Sequence, residues 1–394
     1  MTAAPPRPGS PGRASIYLRL SLFYTTFLGM GGVSLPFWPT WLQSRGLDAA
    51  SIGVLLSVPM WVRIASTPLL ARLADRRGGA KPILVLALVA ALLFFTVFSV
   101  ADGFWALLAV TFFANGLYGS ILPLGESIAL SACRDHRLDY GRVRLWGSLS
   151  FILVAVAAGQ FLAGRSPDWI LGLTLLGFAL TIAVALALPG RRAPPPPSGA
   201  GMLSLIGNPR FRLFVVASGL IQASHSLLYG FGTIRWLAAG YSKATIGWLW
   251  GEGVVVEITL FAFGASLVRR LGPLRLLTLG GAVAVVRWIG IASRDDLASL
   301  AVLQALHGIS YGATHLAAMS YIAQATPPHL AATAQGLHAA IAWGVIFALA
   351  TLACGPLYAR LGGEAFFVMA GLAFAGTVAA AILARRRSPA EDAS

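Results

Sequence analysis

The chain has 394 residues, of which 57% are hydrophobic and only 11% charged, and its mean hydropathy is +0.77. Soluble domains carry about twice that share of charge, so a water-soluble globular protein is excluded and a membrane protein is expected. The net charge of +15 would suit a nucleic-acid partner if the basic residues formed one patch, but they are scattered loop by loop, so no nucleic acid is expected.

Residues 1–16 are rich in Pro, Gly and Ser and are expected to be a disordered cytoplasmic N-tail. Twelve apolar runs follow, at roughly 17–41, 51–71, 82–101, 104–129, 141–163, 169–188, 211–235, 245–267, 275–292, 297–323, 332–357 and 365–384. Most approach or exceed the ~20 residues a helix needs to cross a bilayer. None alternates polar and apolar residues as a barrel strand does. The first six make an N-terminal bundle over 17–190. A cytoplasmic linker at 191–210, with Pro194-Pro195-Pro196-Pro197 in it, separates this from a C-terminal bundle over 211–384, and 385–394 form a cytoplasmic C-tail.

The two bundles echo one another. Gly46-Leu47-Asp48-Ala49-Ala50-Ser51-Ile52-Gly53 returns 194 positions later as Gly240-Tyr241-Ser242-Lys243-Ala244-Thr245-Ile246-Gly247. The same offset maps Gly78 onto Gly272 and Lys81 onto Arg275. An offset of about half the chain predicts two homologous six-helix bundles related by a pseudo-two-fold axis.

With both termini in the cytoplasm, 21 of the 29 basic residues fall on the inner side. Five fall outside (Arg45, Arg165, Lys243, Arg294 and Arg360), and Arg63, Arg235 and Arg287 lie in or at the edge of helices. The positive-inside rule therefore sets the orientation. Trp38, Trp41, Trp105, Trp169 and Trp236 fall where an aromatic belt belongs. The glycines of Phe27-Leu28-Gly29-Met30-Gly31-Gly32 suit a close helix crossing. Cys133 and Cys354 fall near opposite membrane faces, so no disulfide is expected. There is no metal-binding Cys/His spacing, nucleophile elbow or P-loop, so neither metal, cofactor nor enzymatic activity is expected.

Loop 2–3 reads Ala71-Arg72-Leu73-Ala74-Asp75-Arg76-Arg77-Gly78-Gly79-Ala80-Lys81. It is similar to the loop signature of the major facilitator superfamily, with Ala where the first small residue is usually Gly. Leu138-Asp139-Tyr140-Gly141-Arg142-Val143-Arg144-Leu145-Trp146-Gly147-Ser148 resembles the start of helix 5 in the bacterial 3-phenylpropionate permease group. So do His225 with Tyr229-Gly230-Phe231, Glu257, Val286-Arg287-Trp288 and His315-Leu316-Ala317-Ala318-Met319. The resemblance spans all twelve runs. It implies the major facilitator fold, an all-α membrane protein of twelve helices in two bundles, placed in the inner (plasma) membrane. A looser relation to the oligosaccharide–proton symporters implies a sugar or proton role for Glu126, Arg144, Glu257, Arg287 and His315. Ala318 stands where the lactose permease group carries a further carboxylate.

Ionisable groups at bilayer depth are functional candidates because an unpaired one is costly. Glu257 is near the middle of helix 8, and Arg287 is its expected partner; a carboxylate between burial and a guanidinium can load and release a proton. A structural ion pair fixing helices 8 and 9 is the plainer alternative. Arg63 maps onto Glu257 under the 194 offset and either faces the cavity or snorkels. Glu126 and Arg144 lie near the cytoplasmic helix ends, and Arg144 suits a bidentate carboxylate contact. His307, Tyr311 and His315 are spaced i, i+4, i+8, so on an α-helix they share a face. His225 and Tyr229 do likewise, and interhelical hydrogen bonds are the alternative for each. Trp146, Tyr229 and Trp61 are candidates for stacking on an aromatic substrate. Asp75, with Arg76, is expected to latch the inner gate. Arg235 and Glu252 form an outer gate or are merely wet.

The substrate site expected from these readings comprises Arg63, Glu126, Arg144, Trp146, His225, Tyr229 and Arg287, with proton coupling at Glu257, His307 and His315. The expected activity is proton-coupled uptake of a small aromatic carboxylic acid by a monomer. A sugar–proton symporter and an efflux antiporter of drugs or metabolites are the alternatives.

Overall fold

The computed structural model describes residues 12–77, 79–190, 202–327 and 330–385. The N-tail to residue 11, Gly78, the proline-rich part of the linker, His329 and the C-tail from 386 lie outside the described residues. The first half holds α1 (Arg13–Ser44), α2 (Ala49–Arg76), α3 (Ala80–Val97), α4 (Gly103–His136, interrupted at 119–120), α5 (Tyr140–Leu162) and α6 (Asp168–Leu186). The second holds α7 (Pro209–Ala238), α8 (Lys243–Ala262, continuing as Gly264–Leu271), α9 (Pro273–Ser293), α10 (297–325), α11 (331–361) and α12 (Ala365–Arg385).

Ten stretches are long and apolar enough to cross a membrane. One of them, Thr333–Arg385, holds most of α11 and all of α12, and the interrupted α10 completes twelve. No strand occurs among the described residues. Residues 13–16, read from sequence as tail, are already helical, and a short helix at Met202–Gly207 occupies part of the expected linker.

The repeat is visible in the packing. In the first half α1 packs on α5 and α6, α3 on α6, and α2 on α4; the second half repeats this with α7 on α11 and α12, α9 on α12, and α8 on α10. The sequence echo marks one structural device used twice. Gly46 and Gly240 take φ of 77° and 89°, a left-handed turn that glycine enters without Cβ strain. Asp48 and Ser242 then cap α2 and α8 by accepting from the N–H of Ser51 (2.8 Å) and Thr245 (3.1 Å). Asp102 and Asp296, also 194 apart, cap α4 and α10.

The halves meet through these capped ends. A Cβ on Gly53 would lie 2.8 Å from the Gly355 backbone, so α2 and α11 touch main chain to main chain. The repeat-related crossing joins α5 to α8, where a Cβ on Gly159 would fall 3.1 Å from Gly247 Cα. Lys243 Nζ donates across this seam to the carbonyls of Leu162 (3.1 Å) and Arg165 (3.2 Å). Within the halves the same end is tied by Arg45 to Asp168 and by Arg235 to Asp295 (2.7 Å). At the opposite end, where α2, α4 and α10 finish, the helices pack within their own half. The molecule is thus sealed at one end and parted at the other. Inside the first half, Gly32 of α1 lies against the α5 backbone, where a Cβ would sit 2.6 Å from the Phe151 carbonyl oxygen. This is the close crossing that the glycine run predicts.

Candidate functional site

Two adjoining chambers occupy the space between the halves. The larger has a volume of about 480 Å³, within the usual range for small-molecule sites. Its walls come mostly from the first half and are aromatic: Trp38, Phe95, Tyr118, Phe151 and Phe178, with Tyr229 and Phe347 from the second. Arg63 brings the fixed positive charge, and Asn115 is among its few polar groups. The smaller, of about 180 Å³, lies between α5 and the second half. Arg144 and Ser148 line it from α5, Glu257 from α8, and Gln304, His307 and Tyr311 from α10. Leu28, Leu35, Phe151 and Tyr229 border both chambers.

Glycine in a π-helical turn brings Glu257 to its neighbours. α10 leaves α geometry over Gly308–Ala313, as α7 does over Leu228–Gly232 and α11 over Ala339–Ile346. Such wide turns concentrate at functional sites. A Cβ on Gly308 would meet Val256 Cγ1 at 2.6 Å and the Glu257 nitrogen at 2.9 Å, and one on Gly312 would meet Glu257 Cγ at 3.2 Å. The backbone of α8 therefore lies directly on the widened turn, and Glu257 Oε2 sits 3.9 Å from His307 Nε2. The His307 and Tyr311 rings stack with centroids 5.0 Å apart. His307 Nδ1 is buried with no hydrogen-bond partner among the described residues.

Arg287 does not pair with Glu257, contrary to expectation. It is fully buried behind the chamber. Its Nε donates to the Leu303 carbonyl (2.7 Å) and its Nη2 to Gln304 Oε1 (2.5 Å), with Ser310 Oγ at 3.5 Å from Nη1. The guanidinium also lies 4.5 Å from the Trp288 ring. α9 turns this side chain toward the α10 backbone rather than the cavity. His225 belongs to the same wall: it is buried, with Ser310 Oγ 3.2 Å from its Nε2 and the Ile221 carbonyl 3.2 Å from its Nδ1. Neither residue lines a chamber.

The remaining sequence candidates divide. Arg63, Arg144, Tyr229, Glu257 and His307 come together around the two chambers. His315 does not join them. The π-helical turn adds residues per turn, so the i, i+8 face breaks, and His315 lies beside Phe261 (6.4 Å). Trp146 is 47% exposed and donates to the Tyr17 hydroxyl (2.9 Å). Glu126 accepts from Tyr140 (3.4 Å), whose hydroxyl is 3.3 Å from that of Tyr24, and Arg144 lies over the Tyr24 ring (5.2 Å). Trp61 lines neither chamber.

Asp75 and Arg76 are exposed at the parted end, and no ion pair of either occurs among the described residues. Arg235 pairs with Asp295 and not with Glu252. Of the supposed aromatic belt, Trp105 and Trp169 are exposed, whereas Trp41 and Trp236 are core residues and Trp38 faces the larger chamber.

Sequence reasoning missed Gln304, Asn115, Gln222, Ser310 and His338. The amides were detectable, since uncharged amides inside apolar runs also need partners. His338 is buried with its Nε2 3.0 Å from Ser218 Oγ.

A family model described as the MFS_1 like family matches residues 17–369. The probable 3-phenylpropionic acid transporter of Escherichia coli (strain K12) is 34% identical over 89% of this chain and 93% of its own. The maltose permease of Geobacillus stearothermophilus is 28% identical over 98% of both chains. Among solved structures, the nucleoside transporter NupG superposes with a TM-score of 0.84 at 16% identity, covering 94% of this chain and 100% of that one.

Proposed function

We propose, from the premise that this chain belongs to the MFS_1-like family of membrane transporters and is not an enzyme, that it carries a small aromatic carboxylic acid inward together with a proton. One observation carries this reading. Glu257, 3.9 Å from His307, shares a chamber with Arg144 of the other half, and that chamber adjoins an aromatic one. When ionised, Glu257 attracts Arg144 across the gap and draws the halves together. When protonated, it releases that pull. A proton then moves with each change of cavity side, and His307, with its free Nδ1, passes it on. The first relative's printed name, a probable 3-phenylpropionic acid transporter, supports the choice of cargo.

The parted end, which carries Asp75, Arg76 and Arg77, is taken as cytoplasmic by the positive-inside rule. Both termini are then cytoplasmic, and the conformation faces inward. The two bundles, 17–190 and 211–384, rock about the chambers in a bacterial inner membrane, and the protein acts as a monomer. Asp75 and Arg76 latch the parted end in the alternate state. Asp75→Asn is expected to slow transport with little loss of affinity, and a large affinity loss at normal turnover would place Asp75 in the site instead.

A sugar–proton symporter is the second reading, favoured by the full-length maltose permease relative and by the amides Gln304 and Asn115 on the chamber walls. Uptake into right-side-out vesicles under an imposed proton gradient separates the two. Phenylpropionate is expected to accumulate and a galactoside is not. The reverse result makes the chain a sugar carrier.

A further inference from the structure

We infer that Arg63 is the anion-binding residue of the larger chamber and that Arg144 is held back for Glu257. This rests on the reading of the chain as a carrier of aromatic acids. Three arginines lie at cavity depth, and their surroundings differ. The donors of Arg287 are taken up by Leu303, Gln304 and Ser310, and it is fully buried. Arg144 lies over the Tyr24 ring and shares the smaller chamber with Glu257. Arg63 lines the larger chamber and has no hydrogen-bond acceptor and no ion pair among the described residues.

A guanidinium carries five N–H donors in a planar fork matched to a carboxylate. In a cavity walled mainly by carbon, Arg63 is exposed, and its donors are free to take a ligand. The fork is also built into place. The Arg63 stem lies across Gly119, where a Cβ would fall 2.9 Å from Cγ and 3.1 Å from Cδ. Next to Gly119 is Tyr118, which begins an aromatic wall: Tyr118 to Phe178 at 5.8 Å, Phe178 to Phe95 at 4.9 Å, and Phe95 to Trp38 at 5.8 Å between centroids. A fork beside such a wall selects a monocarboxylate whose aromatic ring is joined to the carboxyl by a short chain. The carboxylate sits on Arg63 and the ring on the wall. The proton chamber adjoins this one but has its own arginine, so a carboxylate placed on Arg63 leaves Arg144 to Glu257.

The test is binding of 3-phenylpropionate and of 3-phenylpropionamide to the full-length protein in nanodiscs at neutral pH. Wild type is expected to prefer the acid. Arg63→Gln is expected to weaken acid binding by roughly ten- to a hundredfold, the loss of a charge-assisted hydrogen bond. Its amide binding stays unchanged, which also shows that the variant is folded. Arg144→Gln keeps the acid preference. If Arg63→Gln retains that preference, or Arg144→Gln removes it, the assignment is overturned while the carrier reading stands. If wild type binds acid and amide alike, both fall.

Should Arg63→Gln fail to fold, Gly119→Ala and Arg63→Lys decide. Crowding the stem is expected to weaken the acid several-fold and spare the amide, and lysine is expected to restore part of the preference. Equal losses for acid and amide in Gly119→Ala, or no acid preference in Arg63→Lys, would count against the fork.

Discussion

The two halves share a plan and differ in what fills it. Both use the same glycine turn, the same capped helix start and the same helix order. At one repeat-related position, however, the first half carries Arg63 and the second Glu257, 194 residues apart. Around Arg63 the wall is mainly aromatic; Glu257 faces His307 at 3.9 Å, and on the same chamber wall stands Gln304, which Arg287 holds from behind. The backbones diverge in the same sense. The first half carries Pro36, Pro39, Pro59 and Pro68 inside α1 and α2, where the second has Pro356 inside α11, and the second widens into π-helical turns in α7, α10 and α11. A proline removes one donor and fixes a kink, whereas a π-helical turn keeps its hydrogen bonds and shifts the faces of everything after it. The repeat is kept where the helices cross and abandoned where they face the cavity.

The sharpest break in this comparison is to neutralise each member of the related pair. Glu257→Gln is expected to abolish proton-driven accumulation while leaving exchange of bound substrate partly intact. Unchanged accumulation would sink the division between a proton half and a ligand half. Next comes stability. Arg287→Met strips the Leu303 carbonyl and Gln304 Oε1 of a side-chain donor, and a buried group left unpaired costs roughly 1–3 kcal/mol each. A marked fall in melting temperature in detergent is expected. Arg63→Gln, with no protein partner to strand, is expected to melt with wild type. A similar fall in both would mean that Arg63 is structural too.

Gly308→Ala drives a methyl group into the α8 backbone, and overpacking of this kind costs about 1–3 kcal/mol. Gly116→Ala meets only the Val62 side-chain end, at 3.1 Å, and is expected to cost less. Melting scans that rank the two the other way would show that the widened turn is soft rather than fitted.

The smallest effect is at the echoed caps. Ser242→Ala is expected to cost about 1 kcal/mol at any pH. Asp48, whose carboxyl is held below its usual range by hydrogen bonds from Ser51, contributes only while ionised. Its contribution is complete above the unfolded carboxyl range and is lost as pH falls through the lowered folded value. An Asp48→Ala variant whose deficit persists in acid would contradict this.

The fold was legible because run length, loop charge and a half-length echo are all one-dimensional signals, and each maps directly onto a helix, a side or a bundle. The candidate site was legible only in part. Arg63 and Glu257 could be linked through the offset alone, and Arg144, Tyr229 and His307 through residue type and depth. The partners could not be read, because pairing depends on how each helix is rotated. Gly308–Ala313 reads like any apolar helix, yet its widened geometry carries His315 away from His307 and Tyr311. For the same reason Arg287, though at the right depth, spends its donors on α10 and leaves Glu257 to a histidine.

The seam at the sealed end has a consequence for the kinetics. Gly53 against Gly355, and Gly159 against Gly247, are contacts of main chain on main chain, with Lys243 on two carbonyls as the polar tie across α5 and α8. Dispersion of this kind is short-ranged, and a gap of roughly 1 Å forfeits up to half of it. Such a closure is made or unmade and has little to gain from standing ajar. The frequency of parting, rather than its extent, then governs flux. With no ion pair spanning the seam among the described residues, that frequency should be nearly indifferent to the ionic strength of the surrounding medium.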